Sequence, residues 1–286
     1  HAVLVPDQLV LTDDESALLR DYVSAGGALI AAYRCGMRDA DGAEVSPTFL
    51  REVCGVEPVR FADYSVGYIS GLRFDVDAPD APLVFRSPGG AGAPVAIPAL
   101  ECRPISAEVL ADLEHPIYER TREHFYAANN PPPAGPSGFG AAFLNRLGDG
   151  AAVYFPFDLF RFFQLDSYPP LRNIAIALLD RIAPVQEAFV DAPAQVEVVL
   201  RERAGARLLH LINYANSRFG RGFSPVVVED LIPVHGIPVQ VRGEARTVLQ
   251  RPGGRPLAFS VADGCTSFLL PRLDAHTIIE LQLDHA

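Results

Sequence analysis

From about Val185 to its last residue the chain shows no helical period. The segments QVEVVLRE, ARLLHLINYA, SPVVVEDLIPV, IPVQVR, ARTVLQ, LAFSVA, TSFLLP and HTIIELQL follow one another at roughly even spacing, each short, rich in branched residues and closed by turn formers. About eight short runs of this kind, separated by turn formers, are the signature of an all-β antiparallel sandwich, predicted over 185–286. Residues 1–184 carry a different pattern, which places a domain boundary close to Pro184.

That first part opens as strand, loop, helix and strand in AVLVPDQLVLTDDESALLRDYVSAGGALIAAY. Thr12 or Asp13 can cap the helix, Glu15 falls near its positive dipole end, and Leu18, Leu19, Tyr22 and Val23 give a stripe of period 3.6. Gly26 and Gly27 stop the helix before the apolar run Ala28 to Ala32. Two strands joined by a helix make a parallel unit, so the spacing predicts an α/β domain built on a parallel, doubly wound sheet of flavodoxin-like type. A helix is expected from Pro47 to about Cys54, with Phe49, Leu50 and Val53 on one face, and β hairpins from Asp63 to about Arg103. A Pro-rich irregular loop then precedes a strand, a Gly-Asp-Gly turn and another strand. A helix from Leu171 to Ile182, with Ile174, Leu178 and Ile182 on one side, ends before Pro184.

Charge removes one class of partner. With 24 basic against 35 acidic side chains the net charge is −11, and every basic residue is Arg. Nucleic-acid affinity rests on clustered cations, so no nucleic-acid partner is expected. No apolar run approaches the roughly 18 residues that cross a bilayer, and no membrane partner is expected either. Cys35, Cys54, Cys102 and Cys265 form no C-x-x-C pair, which excludes zinc ribbons and thioredoxin-like chemistry and reads as reduced thiols of a cytoplasmic protein. Residue 1 is His, the sole methionine is Met37, and a strand pattern begins at Ala2. The α/β domain therefore reads as truncated at its N-terminus, a piece of a longer protein.

The order DQLVLTDDESALLRDYVSAGGALIAAYRCGMRDADG, then YFPFDLFRFF and the closing helix, resembles the trimerisation domain of family 42 β-galactosidases, which has a class I glutamine amidotransferase-like fold. It also resembles the equivalent part of related hypothetical glycoside hydrolases. The stretch LLHLINYANSRFGRGFSPVVVEDLIPVHGIPVQVR, with LLPRLDAHTIIEL, is similar to the C-terminal β domain of those enzymes. The resemblance implies that the catalytic barrel with its two carboxylates lies upstream and outside this chain. It also implies that these domains scaffold the barrel, meet other subunits in a homo-oligomer, and border a carbohydrate site.

Each candidate for chemistry has a structural counterpart. Cys35 follows the strand Ala28 to Ala32, as an amidotransferase nucleophile would, and Arg34 and Arg38 flank it. No downstream His-x-Glu supplies a base, so a structural thiol is the competing reading. Among the acids, Asp13, Asp14 and Glu15 read as helix-start residues and Asp39 and Asp41 as loop residues, while Glu101, Glu108, Asp112 and Glu114 lie in a segment that singles out no catalytic pair. In the loop from His115 to Pro133, His124, Phe125, Tyr126, Asn129 and Asn130 bring polar and aromatic groups together, which suits a sugar site or an interface as well as a self-packed connector. Phe155, Phe157, Phe160, Phe162 and Phe163 read as core or interface packing. His210, with Asn213 and Tyr214, lies on an apolar strand with no second His or Cys at strand spacing to complete a site, and the same reasoning applies to His235 and His276, so no metal and no cofactor are expected. Three functions remain open: the non-catalytic part of a glycoside hydrolase, a free-standing Cys-dependent hydrolase using Cys35, or a carbohydrate-binding or assembly module.

Overall fold

The computed structural model describes residues 2–86, 99–119, 130–166, 168–184, 186–203, 205–214 and 230–283. Two compact units divide at Pro184 and Val185. In the first, β1 (Ala2–Pro6) runs parallel to β2 (Ala28–Ala32), and β2 parallel to β9 (Gly150–Phe155). The helix α1 (Asp13–Ser24) joins β1 to β2. Its start is a reciprocal cap: Glu15 N donates to Thr12 Oγ1 at 3.2 Å and Thr12 N to Glu15 Oε2 at 2.9 Å. Leu19, Tyr22 and Val23 pack on the core, but Leu18 is 70% exposed, so the buried stripe is narrower than the sequence pattern.

All five residues of β2 are buried, because both faces of the sheet are covered. Leu29, Ala31, Ala152 and Tyr154 face a core closed by α1 and the short α2 (Thr48–Glu52), with Phe49, Leu50 and Val53 buried in it. Ile30, Ala32, Val153 and Phe155 face a second core with α3 (Leu159–Asp166) and α4 (Pro169–Ile182), where Leu171, Ile174 and Leu178 are buried. Each fully buried Leu or Ile contributes about 1.5–3 kcal/mol. Gly150 is obligatory where these layers meet, since a Cβ there would stand 2.1 Å from Val23 O.

The parallel sheet expected from the sequence is realised only in β1, β2 and β9. The remaining strands are antiparallel: β3 (Val56–Phe61), β4 (Val66–Ser70), β5 (Leu83–Arg86), β6 (Leu100–Pro104), β7 (Glu108–Pro116) and β8 (Pro133–Leu147). The result is one mixed seven-stranded sheet, ordered β1-β2-β9-β8-β7-β4-β5, and a β3-β6 ribbon. The flavodoxin-like assignment is thus not confirmed, for a physical reason: residues 56–147 alternate with period two between Pro and Gly and lack the apolar stripe that crossover helices need. The Pro-rich stretch differs as well. Its C-terminal part is already strand, and β8 slips register against β7 repeatedly, the last two slips beside Pro136 and Pro133, which have no N–H to give the ladder.

In the second unit, β10 (Ala188–Val190), β13 (Val234–Arg242), β17 (Cys265–Leu273) and β16 (Phe259–Ala262) form a four-stranded antiparallel sheet. A five-stranded antiparallel sheet holds β11 (Val196–Arg203), β12 (Ala206–Asn213), β18 (His276–Leu283), β14 (Ala245–Arg251) and β15 (Arg255–Pro256). Ile237, Val239, Val241, Phe268 and Leu270 of one sheet share a single core with Leu209, Leu211, Val248, Ile279 and Leu281 of the other. Most of the expected strand SPVVVEDLIPV lies outside the described residues.

Candidate functional site

Ligands of open α/β sheets gather beyond the carboxyl ends of parallel strands. In this chain that edge collects charge. Asp7 follows β1, Tyr33 and Arg34 follow β2, and Asp158 follows β9. Backbone bonds lock the three ends together, with Asp7 N donating to Ala32 O at 3.0 Å and Tyr33 N to Phe155 O at 2.7 Å. Asp7 (φ 40°) and Tyr33 (φ 63°) both hold left-handed backbone, a conformation that costs a non-glycine residue about 1–2 kcal/mol.

The side chains explain how that conformation is held. Arg34 donates from Nε to Asp7 Oδ1 at 3.0 Å and from Nη2 to Oδ2 at 2.6 Å, a two-toothed ion pair of partly buried groups. Its guanidinium carbon lies 4.8 Å from the centre of the Tyr33 ring. Tyr33 is buried, and burial pushes its phenol well above the ordinary range. Tyr154 donates from its hydroxyl to Tyr33 O at 2.6 Å. Asp158 caps α3, accepting from Arg161 N at 3.3 Å, and burial raises its carboxyl. The edge therefore gathers a guanidinium and two carboxylates over a buried aromatic ring, and the partly exposed Arg34, Asp7 and Asp158 are its polar groups.

A second cluster adjoins it through β6, where Leu100 N donates to Pro156 O at 2.7 Å, and through β3, where the Phe61 ring meets Tyr33 edge-on at 6.3 Å. Glu101 is fully buried. His115 Nε2 stands 2.9 Å from Glu101 Oε1, and Arg60 Nη2 donates to the same oxygen at 3.3 Å. Arg60 Nε lies 2.9 Å from Oε2, an ionic contact whose angle falls short of a hydrogen bond. The Tyr64 ring covers the imidazole at 5.0 Å. A buried carboxylate that orients an imidazole fixes its tautomer, a feature shared by structural clamps and by proton-transfer sites.

This cluster also anchors the feet of the loop singled out in the sequence. Ser65 donates to Glu119 from both N (2.8 Å) and Oγ (2.5 Å), Ile117 N donates to Pro132 O at 2.9 Å, and Tyr68 donates from its hydroxyl to Pro131 O. Asn130 is half-buried beside the second foot. His124, Phe125, Tyr126 and Asn129 lie outside the described residues.

Cys35 has the properties of an inert thiol. It is buried, shares its S–H between Ala32 O (3.0 Å) and Val5 O (3.2 Å), and burial pushes its pKa up to about 11. The flanking Arg34 does not offset this, because its charge is spent on Asp7. Phe155, Phe157 and Phe162 are core residues, whereas Phe160 and Phe163 line an open apolar groove of about 230 Å³ with Leu4 and Ile176. Asp7, Tyr33 and Asp158 were not singled out from the sequence. Their signal was position, each standing within a few residues of the end of an expected buried strand. Among the described residues no group of three or more His, Cys, Asp or Glu is arranged to hold a metal ion, and no helix is long and apolar enough to cross a membrane.

No protein-family model matches the sequence, and no curated protein matches it. Solved structures do match in fold. α-L-Fucosidase isoenzyme 2 from Paenibacillus thiaminolyticus superposes with a TM-score of 0.77 at 19% identity, over 100% of this chain and 41% of its own. A β-galactosidase from Rahnella sp. R3 gives 0.58 at 15% identity, over 99% of this chain and 32% of its own. The β-galactosidase from Bacillus circulans sp. alkalophilus gives 0.56 at 17%, over 98% and 33%. At these identities the likeness is one of fold, and the chain spans well under half the length of each of these glycoside hydrolases.

Proposed function

We propose that this chain is the non-catalytic C-terminal part of a β-galactosidase-like glycoside hydrolase. The observation that carries the reading is coverage: the whole chain superposes on a fucosidase with a TM-score of 0.77 while spanning only 41% of it. Two galactosidases repeat the pattern at about a third of their length. In this reading the bond is cleaved by a carboxylate pair in a barrel elsewhere in the parent protein. The α/β unit scaffolds that barrel and contributes to subunit contact, in the manner of the trimerisation domain it resembles. The polar edge formed by Asp7, Arg34 and Asp158 over the buried Tyr33 is the part of this chain that borders the sugar.

Chemistry within the chain supports a supporting role. Asp7 is engaged by Arg34, Glu101 by Arg60 and His115, and Cys35 is buried, so the sharpest reactive groups are used internally. The open groove at Phe160 and Phe163 is apolar surface of the kind an interface covers. The four cysteines are free, which suits a reducing compartment, and we place the parent protein in the cytoplasm.

The test is the intact mass of the native gene product together with its activity on aryl glycosides. The panel includes an aryl β-galactoside and an aryl α-fucoside. A product much larger than 30.9 kDa that cleaves one of them supports the proposal. A native product of this size overturns it.

A further inference from the structure

We propose that His210 and His276 form a two-histidine site for a divalent transition-metal ion, zinc foremost, on the outer face of the five-stranded sheet. The strands β12 and β18 are antiparallel neighbours in which His210 lies opposite Ile278 and Ile212 opposite His276. The two histidines are therefore diagonal partners on one face. The alternate residues Leu209, Leu211, Ile279 and Leu281 point into the core, so both imidazoles point out of it.

Geometry favours a shared ligand. His210 Nδ1 lies 3.3 Å from His276 Nε2, with ring planes at 13° and ring centres 5.5 Å apart. That centre separation is close to the largest such a nitrogen contact allows, so the rings meet edge to edge with nitrogen aimed at nitrogen. Two imidazole nitrogens bound to one tetrahedral zinc at about 2.0–2.1 Å stand about 3.4 Å apart. The pair already has that spacing, and each ring needs to turn by only about 35° for its lone pair to meet the ion. Imidazole suits zinc, nickel and copper, and water fills the open positions.

The surroundings tolerate a cation. On the same face, Glu280 is paired with Arg251 at 2.8 Å, and Glu197 on β11 bonds the Tyr214 hydroxyl. Arg201 is further along β11, and Val199 and Ile278 flank the pair. The chain as a whole carries −11. The competing occupant of this geometry is a single proton held between the rings.

The experiment is calorimetric titration of the chelator-treated chain with zinc chloride, followed by thermal unfolding. Two ligands supply about half the binding free energy of a four-ligand structural site, so one ion per chain is expected with a Kd on the order of 1–100 µM. Saturating zinc should raise the transition of the second unit by about 5–10 °C. His210→Asn and His276→Asn should each weaken binding at least tenfold, while Cys265→Ser leaves it unchanged. With copper(II) in place of zinc, electron paramagnetic resonance should show two equatorial nitrogens. No binding up to 1 mM zinc, or binding that survives in both histidine variants, overturns the proposal and leaves the pair a proton-sharing contact.

Discussion

Arg34 closes a two-toothed ion pair on Asp7, Nη2 to Oδ2 at 2.6 Å, across the carboxyl ends of two parallel strands. Asp7 itself sits at φ 40°, so one residue carries both the backbone strain and the charge that offsets it. The pair fixes the turn that presents Tyr33, with the guanidinium seated against its ring. Removing the guanidinium should cost about 1–2 kcal/mol in urea unfolding, because it leaves a partly buried carboxylate unpaired. An unchanged midpoint in Arg34→Ala would show the pair to be a surface contact only.

The backbone contribution at the same residue separates cleanly. Asp7→Ala and Asp7→Gly both lose the ion pair, but glycine tolerates a positive φ and alanine does not. Asp7→Gly should therefore be the more stable of the two by about 1 kcal/mol. Equal stabilities would mean that Asp7 relaxes out of the left-handed region once its charge is gone.

Glu101 predicts an asymmetry. Its side chain is 1% exposed and that of Arg60 is 55% exposed. Arg60→Ala strips a buried carboxylate of a cation and should be the more destabilising of the two, whereas Glu101→Gln lets Arg60 return to water and should cost less. Chemical denaturation of both variants checks the order, and a larger loss in Glu101→Gln would contradict it.

Asp158 is the group whose charge is opposed by the fold. Burial raises its carboxyl, so the folded protein holds that proton more tightly than the unfolded chain does. The penalty is absent below the ordinary carboxylate range and develops as pH rises through that range toward the raised value. Asparagine caps a helix about as well and carries no such penalty, so Asp158→Asn should equal or exceed the parent at neutral pH, within about 1 kcal/mol. Its advantage should vanish in acid. Melting temperatures of both proteins from pH 3 to 7 decide it, and a variant that loses stability relative to the parent as pH rises would refute the assignment.

Thiol chemistry tests the reading of Cys35. Cys35, Cys54 and Cys102 are buried, whereas Cys265 is partly exposed. In the native chain near neutral pH, a thiol-specific reagent should label Cys265 first and leave Cys35 intact until unfolding. Fast, selective alkylation of Cys35 would revive a nucleophilic role.

What the sequence made legible was local. The cap at Thr12, the buried face of Phe49, Leu50 and Val53, and the packing of Ile174 and Leu178 all follow from short-range spacing, and the structure places them as the pattern implies. Leu18 departs from it because two helices and a sheet leave room for only part of the apolar stripe. The parallel-sheet expectation overreached for a related reason: strand direction is set by partners distant in sequence, and nothing within residues 56–147 announces that β7 and β8 pair as a long hairpin beside β9. The pairings that define the candidate sites are likewise non-local. Arg34 and Asp7 are 27 residues apart, Arg60 and Glu101 are 41, and His210 and His276 are 66. Spacing along one strand could not reveal His276 as the neighbour of His210.

The most direct test of the proposed function is to assay this chain alone beside the native gene product, on aryl β-galactosides and aryl α-fucosides at equal molar concentration. Hydrolysis by a native product larger than this chain and none by the chain is expected, with no gain when zinc is added to the chain. Turnover by the chain alone, abolished by a substitution at Cys35, Glu101 or Asp158, would contradict it.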